Sequence, residues 1–164
     1  MNEKLHKDDI AILEILQVDA TRSLESIADA IGVSLNTCWR RVKRLEADGI
    51  LEQRVALIDN EKVGLPLTVF VSVRTDDHSR KWAETFMKAA SSIPEIVEFY
   101  RLAGDVDYIL KMIVASVADY DRVYQQMISE IGLSDVSASF AMEKLKWTTE
   151  LPIRAAQNRR KKAR

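Results

Sequence analysis

The sequence predicts an α+β chain in which three short helices precede a β-α-β-β-α-β unit built on an antiparallel sheet. Three observations carry this reading. Apolar residues recur at helical spacing as far as Leu45, the pattern breaks through Ala56 to Pro66, and β-branched runs then alternate with two helical stretches. The most informative stretch is SLNTCWRRVKRLEADGIL, from Ser34 to Leu51, which puts Arg40, Arg41, Lys43, Arg44 and Trp39 on one short helix.

A chain of 164 residues, 47% hydrophobic and 30% charged, has a globular composition and room for one ordinary domain or two small ones. No apolar run approaches the roughly 20 residues of a bilayer span, and MNEKLHKDDI lacks the apolar core of a secretory signal. A cytoplasmic location without a membrane partner is therefore expected. Cys38 is the single cysteine, so no intramolecular disulfide forms, and His6 and His78 lie too far apart in sequence to suggest a zinc site. Neither a metal nor a cofactor is expected. The formal charge of -1 is unevenly spread: residues 1–60 carry 8 Lys/Arg against 11 Asp/Glu, residues 61–150 carry 10 against 14, and residues 151–164 carry 6 against none. The body is acidic, so nucleic-acid contact must come from a local patch, with the basic tail 154–164 either supplementing it or simply solvated.

In the first helix Ile12, Leu13 and Leu16 share a face and Asp9 is the expected N-cap. Ser23 caps the second, where Leu24, Ile27, Ala28 and Ile31 follow the i, i+3, i+4, i+7 pattern until Gly32 stops it. Ser34 caps the third at once. Two short capped helices around Ile31-Gly32-Val33-Ser34 have the spacing of a helix-turn-helix. At 100° per residue, Cys38, Val42 and Leu45 face inward, while Asn36, Arg40, Lys43 and Arg44 face outward with Trp39 at the boundary. Exposed cations usually only solvate a helix, but here they occupy the outer face of the helix that in this motif enters the major groove. ILEQRVALID is expected to be a strand or small wing carrying Arg54.

Ala56–Pro66 reads as a linker, dividing a domain over 1–55 from a second over 67–153. Leu67–Val73 is a strand; Ser79 caps a helix with Trp82, Phe86 and Ala90; Ile96–Leu102 and Tyr108–Val114 are strands. Ser116 and Asp119 approximate a capping box before Tyr120, Val123, Tyr124, Met127 and Ile131, and Val136–Leu145 is the last strand. This order is the ferredoxin-like, or split βαβ, arrangement. Two helices cover one face of such a sheet. Phe70, Phe99 and Tyr100 suggest that self-association covers the other, which would pair two reading helices over two half-sites.

In RLAGDVDYIL, Gly104 permits a turn whose amides point at an anion while Asp105 and Asp107 face an ammonium, a combination suited to an amino acid. The same residues are also ordinary hairpin chemistry, and spacing does not separate the two.

With CWRRVKRLEADGIL in the first half and GDVDY, Gly104 to Tyr108, in the second, the chain from Leu5 to Ile153 resembles the Lrp/AsnC family of feast/famine transcriptional regulators. The run SFAMEKLKWTTELPI resembles the branch with cysteine-responsive activators. The resemblance implies a homodimer built on the sheet domains and assembled further to a tetramer or octamer. It also implies an amino-acid effector held at a subunit interface by Gly104, Asp105, Asp107 and Tyr108, with Ser137 and Ser139 adjoining. Thr37 departs from the family, many of whose members have proline before the cysteine, so the bases read do not transfer.

The expected function is that of a regulator binding double-stranded DNA. Arg40 and Asn36 are expected at base edges, Lys43, Arg44 and Arg54 at phosphates, and Ser34 and Thr37 at phosphates through hydroxyls or helix N-terminal amides. Trp39 is divided between packing and the sugar-phosphate edge. No catalytic residue is expected, because no histidine, cysteine or serine can be placed beside Asp105 and Asp107. Two rivals remain: a small enzyme on the second domain, and an architectural DNA protein whose sheet domain only oligomerises.

Overall fold

The computed structural model describes residues 5–130, 133 and 135–156. It divides into two compact units, one running to Ala56 and taking in the chain again from Lys146, the other Leu57–Leu145.

In the first unit α1 (Lys7–Leu16), α2 (Leu24–Ile31) and α3 (Leu35–Ala47) close over Ile12, Leu13, Leu16, Ile27, Ala28, Cys38, Val42 and Leu45. The N-cap of α1 is His6, not Asp9: imidazole Nδ1 accepts from the Asp8 amide at 3.3 Å, while the His6 amide donates to Asp9 Oδ2 at 2.7 Å. Asp9 thus sits inside the first turn, closing a capping box from the N3 position. Ser23 and Ser34 cap α2 and α3 as their types predict, accepting from the amides of Ser26 at 3.1 Å and Thr37 at 3.2 Å. Gly32 ends α2 at φ 72°, a left-handed conformation that glycine adopts without steric cost. The tight turn that results sets α3 directly after α2.

Among the described residues no strand lies between Ala47 and Leu67, so the expected strand over Ile50–Asp59 is not formed within this chain. Val55, Leu57 and Ile58 are exposed and nothing pairs with the segment as a ladder. A turn follows, fixed by Asn60 Nδ2 donating to the Leu65 carbonyl at 2.7 Å.

The second unit runs β1 (Leu67–Arg74), α4 (Arg80–Ser91), β2 (Ile96–Arg101), β3 (Tyr108–Val114), α5 (Val117–Glu130) and β4 (Asp135–Phe140). Its sheet has the order β2-β3-β1-β4 with every neighbour antiparallel, the ferredoxin-like arrangement. Val69, Val71 and Val73 of β1 and Tyr108, Leu110, Met112 and Val114 of β3 point to the helix-covered face, where they bury Phe86, Ala90, Val123 and Met127. Phe99 joins them, contrary to expectation. It pairs with Leu110, and its ring lies 5.0 Å from Phe86 and 5.7 Å from Tyr108. Phe70 and Tyr100 do remain exposed.

β4 ends at Phe140 rather than Leu145. Its one neighbour in the sheet, β1, begins at Leu67, which the register would set against Met142, and the Ala141 amide donates to the Thr68 carbonyl at 2.9 Å, so the ladder cannot reach Leu145. Met142 is 96% exposed. The second unit also stops at Leu145, short of Ile153. The returning chain is held on α1: Gln17 Nε2 donates to the Leu151 carbonyl at 3.2 Å and Gln17 Oε1 accepts from its amide at 2.9 Å. Ile153 packs against the helical core and Arg154 pairs with Glu14. An apolar residue that the helical core can cover decides this boundary. Ile131 and the tail from residue 157 lie outside the described residues.

Candidate nucleic-acid interface and effector turn

The outer face of α3 is defined by what its core face excludes. Cys38 and Leu45 are fully buried and Val42 nearly so, which turns Asn36, Arg40 and Lys43 outward. Arg40 makes no ion pair among the described residues and is exposed. Lys43 Nζ and Arg54 Nη2 both bind Glu46, at 2.9 Å and 3.2 Å, and the hydrogen bond from Lys43 leads in holding the Glu46 carboxyl below the usual glutamate range. Ser34 and Thr37 stand at the helix entry with their hydroxyls bonded to one another at 2.8 Å. Trp39 is 49% exposed and, with Leu35, Asn36, Ser23, Leu24 and Glu25, lines an open groove of about 560 Å³. Its ring is on the surface of the helix rather than packed away.

Arg44 is placed differently. About 80° round the helix from Asn36, it leans toward α1, and its Nη2 meets Asp9 Oδ2 at 2.6 Å. Arg41, unassigned in the sequence, completes the cluster, with Nη1 on Asp9 and Nη2 on Asp8, each at 3.0 Å. Asp9 is fully buried, so two charges of α3 are neutralised against α1 and add little to an outward positive field. A buried acid on the facing helix was the missing signal, and a one-helix periodicity contains no such information.

Leu102–Asp107 forms the β2-β3 turn. Gly104 holds φ 154°, a conformation L side chains rarely adopt, although a Cβ there would meet nothing within 4 Å. Asp105 is exposed, and its carbonyl accepts from Arg74 Nε at 2.8 Å. Asp107 Oδ2 accepts from the Thr75 amide at 3.0 Å, and its Oδ1 lies 3.8 Å from His78 Nδ1. Tyr108 is 6% exposed, its ring between Trp82 and Phe86 at 5.8 Å and 5.2 Å. The aromatic ring anchors the turn from beneath. Ser137 and Ser139 lie on the open face of β4, opposite Ser72 and Phe70 of β1.

Both signatures are matched by family models: a winged helix-turn-helix DNA-binding domain over residues 6–52 and an Lrp/AsnC ligand binding domain over residues 68–151. The chain belongs to the Lrp/AsnC family.

As a member of the Lrp/AsnC family, the protein is a DNA-binding transcriptional regulator with an amino-acid-response domain. It is 49% identical to a glutamate uptake regulatory protein of Zymomonas mobilis over 93% of each chain. It is 46% identical to the DNA-binding transcriptional activator DecR of Escherichia coli, covering 91% of this chain and 99% of that one. Among solved structures, an AsnC family transcriptional regulator from Agrobacterium tumefaciens superposes with a TM-score of 0.88 at 47% identity, covering 92% of this chain and 99% of that one. A transcriptional regulator from Neisseria meningitidis in complex with L-Met gives 0.87 at 30% identity, covering 93% and 99%. The Lrp/AsnC domain model begins at Thr68, one residue inside β1 and one residue after the register with β3 starts. The helix-turn-helix model ends at residue 52, before the unpaired segment that holds Arg54.

Proposed function

We propose that this regulator reads double-stranded DNA in the cytoplasm with the outer face of α3 and adjusts that binding to a small amino acid held at the Gly104–Tyr108 turn. The observation that carries the proposal is Arg40: an exposed guanidinium, unpaired among the described residues, one helical turn from Asn36 on the second helix of a capped helix-turn-helix. Arg40 and Asn36 read base edges. Lys43 and Arg54 position the protein on phosphates, together with Ser34, Thr37 and Trp39 at the helix entry. Arg44 serves as a strut to α1, with its exposed edge toward the backbone. No catalytic role is assigned.

At the turn, Asp105 and Asp107 present carboxylates to an ammonium, Gly104 supplies the backbone shape, Tyr108 supports it from the core, and Ser137 and Ser139 adjoin on the open sheet face. Cysteine is the first candidate, through the run SFAMEKLKWTTELPI. An acidic side chain would meet the two carboxylates unfavourably. The exposed Phe70 and Tyr100 suit a homodimer through the sheet, which assembles to a tetramer or octamer and sets the spacing of two reading helices. The effector acts by favouring one assembly or hinge geometry over another.

The test is fluorescence anisotropy on a duplex selected from random sequence, at two salt concentrations, with each amino acid added in turn. Sequence-dependent binding that cysteine alters is expected. Tight binding indifferent to every amino acid would replace this reading with an architectural one.

A further inference from the structure

The outer face of α3 contains one carboxylate among its cations. Glu46 binds Lys43 through Oε2 and Arg54 through Oε1, so a single side chain occupies two of the cations assigned to DNA; Arg44 is held by Asp9, and Arg40 alone is unengaged among the described residues. Both cations are exposed, at 59% and 41%, and Glu46 is 35% exposed. Pairs of this kind are weak and exchange readily with a stronger anion. Glu46 is ionised near neutral pH as an exposed carboxylate is, and the Lys43 hydrogen bond holds it further below the usual glutamate range.

We propose that Glu46 sets the strength of backbone binding: it competes with DNA phosphate for Lys43 and Arg54 and so lowers the affinity for every duplex, holding non-cognate binding weak. A phosphate that recruits Lys43 or Arg54 must first displace the carboxylate, and the displaced charge stays close to the DNA. The cost is the same on every sequence, and on a cognate site the base contacts of Arg40 and Asn36 carry the binding past it. The acidic balance of the rest of the chain works in the same direction, so Glu46 extends onto the reading face a repulsion the body already exerts. The inference rests on the assignment of the α3 outer face to DNA.

Glu46→Gln keeps the side-chain size and an acceptor for Lys43 while removing the charge. On a random duplex the affinity at low salt is expected to rise, and the slope of log K against log salt to steepen by about 1 to 2. Affinity for the selected site should rise by a similar factor, as for any group that acts through backbone phosphates. The same substitution in a Lys43→Ala/Arg54→Ala background should have little effect, because the groups Glu46 competes for are gone. An unchanged slope and unchanged random-duplex affinity for Glu46→Gln would overturn the proposal. An undiminished effect in the double background would reduce it to simple repulsion. Circular dichroism and thermal unfolding run alongside separate these outcomes from a loss of fold. If Arg40→Ala and Lys43→Ala also leave DNA binding untouched, it is the assignment of the face that fails.

Discussion

Asp9, fully buried in the first turn of α1, holds Arg44 of α3 at 2.6 Å and Arg41 at 3.0 Å, so the reading helix is tied to the first helix by charge as well as by its apolar stripe. Breaking a buried pair from one side leaves the other charge uncompensated. Asp9→Ala is therefore expected to cost about 3 kcal/mol, toward the lower end of such effects because Arg44 is partly solvated. Urea unfolding of the full chain, followed by helical circular dichroism, measures it. A loss below about 0.5 kcal/mol, the size of an ordinary surface substitution, would show that the cluster does not orient α3.

Arg40→Ala is expected to cost about 1 to 3 kcal/mol on the selected duplex and to relax sequence preference, while Lys43→Ala weakens all duplexes alike and lowers the salt slope by about 1. Binding curves on the selected site and on single-base variants separate the two. Equal losses on every sequence from Arg40→Ala would remove it from the base-reading set.

At the Gly104–Tyr108 turn proposed to hold the effector, Gly104→Ala meets no steric obstacle, so its whole effect comes from φ 154°. Forcing an L residue there is expected to strain the turn by about 1 to 3 kcal/mol and to weaken the amino-acid response, leaving ligand-free DNA binding at the level of the parent. Titration of the amino acid by calorimetry, beside anisotropy without it, reads both. Parent-like ligand affinity would place the binding site elsewhere.

Cys38 packs among Ile12, Ile27 and Leu45, and burial pushes its thiol up. A group raised in the folded state contributes stability fully below the ordinary thiol value of about 8.5 and loses it as the pH rises through the higher folded value. Labelling by an aromatic disulfide at pH 8 should be slow in buffer and fast in urea, and stability should decline only on the alkaline side. Equal labelling rates in both would contradict burial.

The sequence by itself determined the order of elements, the serine caps, the Gly32 turn and the alternation that divides the sheet into covered and open faces. These follow from neighbours one to four residues apart, where spacing, side-chain hydroxyls and permitted φ decide the outcome. Arg40 was legible on the same terms, since the inward pull of Cys38, Val42 and Leu45 forces its opposite outward.

Only the tertiary structure decided the partners of the charges and the ends of the elements. Asp9 became a buried counter-ion for Arg41 and Arg44, 32 and 35 residues away. Phe99 went into the core because antiparallel pairing put it opposite Leu110. β4 stopped within two residues of the start of β1, and Ile153 returned to the helical unit across 136 residues from Gln17 to reach apolar surface that local sequence does not contain. Long-range pairing and burial are properties of what the chain brings together, and periodicity within one element has no access to them.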